Sequence, residues 1–188
     1  MTLFRMLRSK KGQSLIELML IAPLMMALAY GALEVGSLIS TYLTMSHTTR
    51  EGANLASRGT LPNPTLDAII AAAAPTLSNA NQAQWRVIYS RIIPDPVNPG
   101  ANEPYNFIVD NAVDGQIPRG NLNKASKLGT KGTTVTQAIL PGIQNVKLQK
   151  FHVIEVFLDY APSIITYVGR GINTDLYERT IFTDINGS

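Results

Sequence analysis

Cysteine is absent from all 188 residues, which excludes a disulfide framework, a thiol nucleophile and thiolate metal ligation and leaves packing alone to hold the fold. Histidine occurs only twice, at His47 and His152, and neither has acids at a recognisable ligand spacing. No G-x-S-x-G, H-E-x-x-H or calcium-loop pattern is present. The run Gly129-Thr-Lys-Gly-Thr-Thr134 departs from the G-x-x-x-x-G-K-[ST] phosphate loop, and no convincing helix follows it. Glu155 and Asp159 share one strand parity, and a solvated face accounts for them better than paired acid catalysis does. The chain therefore reads as a non-enzyme with no catalytic residue, no metal site and no cofactor. Its globular part is expected to fold without metal or oxidant.

Acids are missing from the first twelve residues as well. This leader holds Arg5, Arg8, Lys10 and Lys11, four of the sixteen basic residues, and none of the thirteen acids. Without it the formal charge falls from +3 to −1, twelve basic residues standing against thirteen acidic ones. The basicity is thus a topology signal that keeps the N-terminus cytoplasmic and sends the rest outward. It supports no nucleic-acid footprint.

After the leader comes an apolar segment from Gln13 to Leu33 with a single acid, Glu17, and a weaker apolar character through Val35, Leu38 and Ile39. About 20 apolar residues suffice to cross a bilayer. The helical pattern continues through Tyr42, Leu43, Met45, Ala53 and Ala56 to a stop near Gly59, ahead of Pro62 and Pro64. A continuous helix over residues 13–58 would run about 70 Å at 1.5 Å per residue. Its outer half must pack on the chain's own globular domain or on neighbouring copies.

Three processing schemes fit this segment. Cleavage between Gly12 and Gln13 leaves the helix attached, with Glu17 at the fifth mature position. A conventional secretory cut would use Ala27-Leu-Ala29, although the apolar pattern continues well past it. The third scheme is an uncut signal anchor. Glu17 has its own physical problem, because a carboxylate inside hydrocarbon costs a few kcal/mol and is normally paired or functional. The amine created at Gln13, its own or a neighbour's, would answer it; solvation at the cytoplasmic interface is the plainer alternative. Glu34 lies near the outer interface, where a solvated acid is unremarkable. Pro23 removes a backbone donor, so a kink or local melting is expected there. Gly31 and Gly36 are five apart rather than the four of the dimerisation motif, and read as packing or bending sites.

Taken together, these residues resemble a known pattern. Gly12-Gln-Ser-Leu-Ile-Glu17 looks like a type IV prepilin processing site. The continuation Leu18-Met-Leu-Ile-Ala-Pro-Leu24, Tyr30-Gly-Ala-Leu-Glu-Val-Gly36 and Thr49-Arg-Glu-Gly-Ala53 resembles the TadE-like pseudopilins, in which an early helix proline, an outer acid with a glycine, and an Arg-Glu-Gly-Ala segment recur. Here these are Pro23, Glu34 with Gly36, and Arg50 with Glu51 to Ala53. The likeness is specific over residues 12–56 and looser at 153–162 and 176–182. It implies a minor pilin-like component of the tight-adherence (Flp) pilus machinery, matured by a prepilin peptidase. Its partners would be other pilins or pseudopilins, the assembly platform and the membrane, with Glu34, Arg50 and Glu51 as assembly contacts.

The remainder, residues 59–188, is long enough for a real core. A helix is expected at 65–77, where Leu66, Ile69, Ile70, Ala73 and Leu77 share a face. Strands are expected at 84–93 and 105–112, the second returning antiparallel to the first. Residues 114–142 are rich in Gly, Asn, Thr and Lys and read as loop and turn. Residues 149–161 form the strongest strand, apolar on both faces and so central and covered on both sides, and 175–185 the last. The expected architecture is α+β: leader 1–12, transmembrane and stalk helix 13–58, and a small antiparallel-sheet, pilin-like head of four strands with the stalk across one face. It would sit as a single-pass protein in a bacterial inner membrane, head outward, and reach the pilus or cell surface on assembly, in adhesion or secretion. The competing reading is a membrane-anchored extracytoplasmic binding or adhesion module whose helix is only an anchor. An inert anchor, however, needs no Glu17.

Overall fold

Helix formers dominate residues 14–33, where only Ile16 and Ile21 are β-branched, and the chain there forms part of one long helix, α1 (Lys10–Ser57). The structure, a computed structural model, describes residues 10–58, 67, 84–98, 100, 105–136, 138–141, 143, 149–160 and 174–183. Pro23 lies inside α1 and the helix runs through it without interruption, so the local melting expected there does not occur. From Glu34 onward α1 becomes one-sided: Leu38, Thr41, Met45, Thr48, Thr49, Ala53 and Ala56 turn inward, at the three- and four-residue spacing of one helical face. The inward hydroxyls are satisfied within the helix. Thr41 donates to the Ser37 carbonyl (2.9 Å) and Thr48 to that of Thr44 (2.8 Å).

Against this face lies an antiparallel sheet made of β1 (Gln84–Pro94), β2 (Phe107–Val109), β3 (Gln116–Gly120), β4 (Thr134–Val135), β5 (Phe151–Tyr160) and β6 (Thr174–Thr183). The order is β4-β2-β1-β5-β6, with β3 also on β1. The long β1 shares one edge between β2, opposite Ile92 to Pro94, and β3, opposite Arg86 to Ser90. Its other edge pairs with β5, and β5 in turn with β6. The expected α+β architecture of stalk helix and antiparallel sheet is therefore the one observed. The strands expected at 84–93, 105–112, 149–161 and 175–185 correspond to β1, β2, β5 and β6. The helix expected at 65–77 lies outside the described residues except Asp67, which pairs with Arg119 at 2.9 Å.

Two strands correct the reading of 114–142 as loop. β3 contains Pro118, which argues against a strand by sequence, yet among the described residues β3 pairs with β1 alone, and an edge position tolerates a missing backbone donor. β4 is two residues long, too short to carry a period. Gly120 ends β3 at φ 109°, and a Cβ there would come within 2.3 Å of the Trp85 carbonyl oxygen, so only glycine fits.

β5 is covered on both faces, as its continuous apolar run implies. Ile154, Val156, Leu158 and Tyr160 pack with Val87, Tyr89 and the α1 residues Met45, Ala53 and Ala56. Phe151 and Val153 face the other way, into a second cluster with Ile92, Phe107, Leu128, Val135 and Leu140. The cover on this second side comes from the Gly- and Thr-rich segment between β3 and β5. Its few apolar residues point inward: Leu122 is 6% exposed and Leu128 and Leu140 are 0%.

Candidate functional site in the N-terminal helix

Residues 14–33 are exposed along almost their whole length. Leu15, Leu18, Leu20, Leu24, Leu28 and Leu33 are all more than half exposed, and Leu20 reaches 76%. Burying such side chains is worth about 1.5–3 kcal/mol each, so a helix bare on every side requires an apolar solvent. Twenty residues at 1.5 Å span about 30 Å, the thickness of bilayer hydrocarbon. By length and composition this helix is apolar enough to cross a membrane.

The head begins where the bare stretch ends. The Tyr160 hydroxyl, at the end of β5, donates to Glu34 Oε1 at 3.0 Å. Higher on the helix, Tyr42 donates to Glu178 Oε2 at 2.8 Å and Thr180 to Thr49 at 3.0 Å, both partners on β6. Burial pushes the Tyr160 phenol above its ordinary range, and the hydrogen bond to Glu178 does the same for Tyr42. Glu34 thus marks the outer edge of the bare stretch and is held by the chain's own head. Tyr160 is a partner that sequence periodicity does not reveal.

The other singled-out residues are placed as follows. Gly12 and Gln13 lie in the first turns of α1. Glu17 is exposed, seventeen residues below Glu34, or about 25 Å along the axis. In a hydrocarbon layer of about 30 Å that puts it near the far boundary. A Cβ added at Gly31 or Gly36 would meet nothing within 4 Å, so neither packs against its own chain. Arg50 and Glu51 are exposed on the side of α1 away from the sheet. Sixteen residues, about 24 Å, separate Glu34 from Arg50, and the structure does not bring them together.

Among the described residues of the head, three polar groupings tie strands and turns together. Glu155, at the centre of β5, is 0% exposed, contrary to the solvated face expected for it. It accepts from Ser126 Oγ, from the Lys127 N–H at 3.1 Å and from the Tyr177 hydroxyl at 2.9 Å, while Lys127 Nζ sits 3.5 Å above the Tyr177 ring. Burial, reinforced by Glu155, pushes the Tyr177 phenol far above its ordinary range and keeps it a donor. An acid between Ile154 and Val156 in an apolar strand was the available signal for this burial. His152 is buried, with Nδ1 2.9 Å from the Tyr89 hydroxyl. Arg91 binds Asp110 at 2.6 Å and Asp114 at 3.1 Å, which ties the turn after β2 to β1.

A cavity of about 130 Å³ lies between Leu122, Phe157, Leu176 and Tyr177, well below the several hundred Å³ of ordinary ligand sites. Among the described residues no three His, Cys, Asp or Glu side chains converge as metal ligands would.

The Arg91 hydrogen bond holds the Asp114 carboxyl below its usual value. A depressed carboxylate contributes stability above the unfolded value near 4 and loses it as pH falls through the folded one. Asp114→Asn is therefore expected to flatten the acid limb of a denaturation-versus-pH curve below about pH 4. Because Asp114 is 43% exposed, the cost at pH 7 should stay under about 1 kcal/mol. An unchanged acid limb would show that this pair does not contribute.

No curated protein and no solved structure matches the chain. The model of the TadE-like protein family does match, over residues 12–54, the stretch that runs from the candidate processing site through the bare helix and carries the resemblance seen in the sequence.

Proposed function

We propose that this protein is a minor pilin-like subunit acting in assembly of a tight-adherence (Flp, type IV-like) pilus. A TadE-like segment ties the chain to that pilus system and to the membrane. The observation that carries the finer reading is the bare helix below Glu34, joined to a head that is docked only on its upper half. Such a helix can sit in lipid and later be transferred, without unfolding the head, into a bundle of similar helices. In this reading a prepilin peptidase cuts between Gly12 and Gln13 on the cytoplasmic side, and other pilins or pseudopilins and the assembly platform receive the mature helix. The head supplies no catalytic step.

Maturation is the first test. Intact mass and N-terminal sequencing of the protein from membranes and from the sheared surface fraction should give a mature chain beginning at Gln13. Gly12→Leu, which puts a bulky side chain at the cut, should leave the full-length precursor and no shortened form. A native N-terminus at Tyr30 would overturn this reading in favour of a secretory cut.

A further inference from the structure

The exposed apolar surface of α1 is longer than a bilayer can cover. It runs from Leu15 through Leu33 to Ile39 and Leu43, all more than half exposed, and measures about 42 Å at 1.5 Å per residue against about 30 Å of hydrocarbon. To absorb that length the helix would have to tilt about 45°, beyond the usual range, which would also draw the sheet docked at Glu34 into lipid. Ile39 and Leu43 therefore stand above the bilayer on a side of α1 that its own head leaves open.

That side has a definite shape. At 3.6 residues per turn, Ala29, Ala32, Gly36, Leu43 and His47 align opposite the face that carries Thr41, Met45 and Thr48 into the core, and all five are exposed. One turn higher, the exposed Arg50 and Glu51 lie about 50° to either side of this line. Copies inserted by the same leader share orientation and height. In a parallel two-fold pair the seam residues meet their own counterparts, while each flank faces the opposite flank of the other copy. Arg50 of each copy then faces Glu51 of the other, and two reciprocal ion pairs close the top of an apolar seam. Lipid could not use that charge arrangement.

We propose that two copies of this chain pair in parallel through the face of α1 turned away from the sheet. The contact extends from the outer half of the membrane segment to Arg50 and Glu51, and covers Ile39 and Leu43 where lipid ends. It requires membrane insertion in one orientation and is independent of a role in the pilus.

Because the chain has no cysteine, one introduced cysteine reports one position. With full-length protein in native membranes, mild oxidation should convert Leu43→Cys and His47→Cys into disulfide-linked homodimers. Val35→Cys, equally exposed (56%) but about 100° round the helix, should give about tenfold less dimer, since its Cα atoms lie beyond disulfide reach. In the Leu43→Cys background, Arg50→Glu should reduce the dimer and the added Glu51→Arg should restore it. Dimer should also form in cells lacking the other pilus components, which separates this contact from the pilus reading. Equal yield at Val35→Cys, no dimer at either seam position, indifference to charge reversal, or cross-linking only to a different protein would overturn the proposal.

Discussion

Replacing Glu155 with alanine is expected to destabilise the head by about 3 kcal/mol or more, because the change strands three donors that a buried carboxylate now satisfies. Those donors are Ser126 Oγ, the Lys127 N–H and the Tyr177 hydroxyl. Ser126 Oγ also accepts from the Leu128 N–H at 3.1 Å, and Leu128 is a fully buried member of the second core cluster. Losing the carboxylate therefore loosens the segment that covers one face of β5. Glu155→Gln separates shape from charge. Its carbonyl oxygen can still accept from Lys127 and Tyr177 and its amide can donate to Ser126 Oγ, so a loss of about 1 kcal/mol is expected. Thermal and denaturant unfolding of the full chain in detergent micelles would read both values. Equal, small losses for the two variants would mean that Glu155 is replaceable and that the covering segment is held by Leu122, Leu128 and Leu140 alone.

The same cluster gives an alkaline signature. Tyr177 has its folded value raised, so its contribution is fully present below the unfolded tyrosine value near 10 and is lost as pH rises towards the folded one. Tyr177→Phe should lower stability at pH 7 while removing that part of the alkaline decline.

How far the molecule was legible depended on whether the cause was local. β1, β5 and β6 carry their pattern in consecutive residues, and a double-faced apolar run such as Phe151 to Tyr160 has few places to go but the middle of a sheet. α1 was equally legible, since its membrane half and its head-facing half differ in composition. The failures are non-local. Pro118 argues against a strand unless β3 is known to be an edge, and β4 exists only because Phe107 and Ile108 lie opposite Val135 and Thr134. Glu155 looked solvated because the donors that make its burial tolerable come from residues 126–127 and from Tyr177, on two other parts of the chain. Glu34 likewise looked like an ordinary interfacial acid until Tyr160, 126 residues later, was found against it. The candidate processing site at Gly12 and Gln13 and the role proposed for Glu17 rest on a short sequence motif, and the fold of the head does not bear on them.

Glu17→Gln is expected to abolish incorporation into the pilus while leaving membrane insertion intact. With the N-terminus cytoplasmic, as proposed, a carboxylate some 25 Å below Glu34 along the helix would lie near the cytoplasmic boundary of the bilayer, where water can still reach it. Cleavage after Gly12 would place a free amine four residues earlier, one helical turn and about 6 Å away. Opposite charges at that spacing share a face, and the acid also sits at the positive end of the helix dipole. The balance changes on transfer into a dry bundle of helices. There the amine and the carboxylate can compensate only each other, and removing one partner of a buried pair costs about 3–5 kcal/mol, a hundredfold or more in an association constant. Gln is easier to insert than Glu, so the variant should reach the membrane in normal amount. Leader cleavage is to be measured in the same strain, by intact mass, because Glu17 lies within the proposed processing motif. Normal cleavage with loss of surface pili and of co-recovery with partner pilins would support pairing between Glu17 and the new amine. Normal piliation and normal co-recovery would make Glu17 an interfacial, water-solvated acid, and would leave the protein a membrane-anchored module whose head does its work without entering a filament.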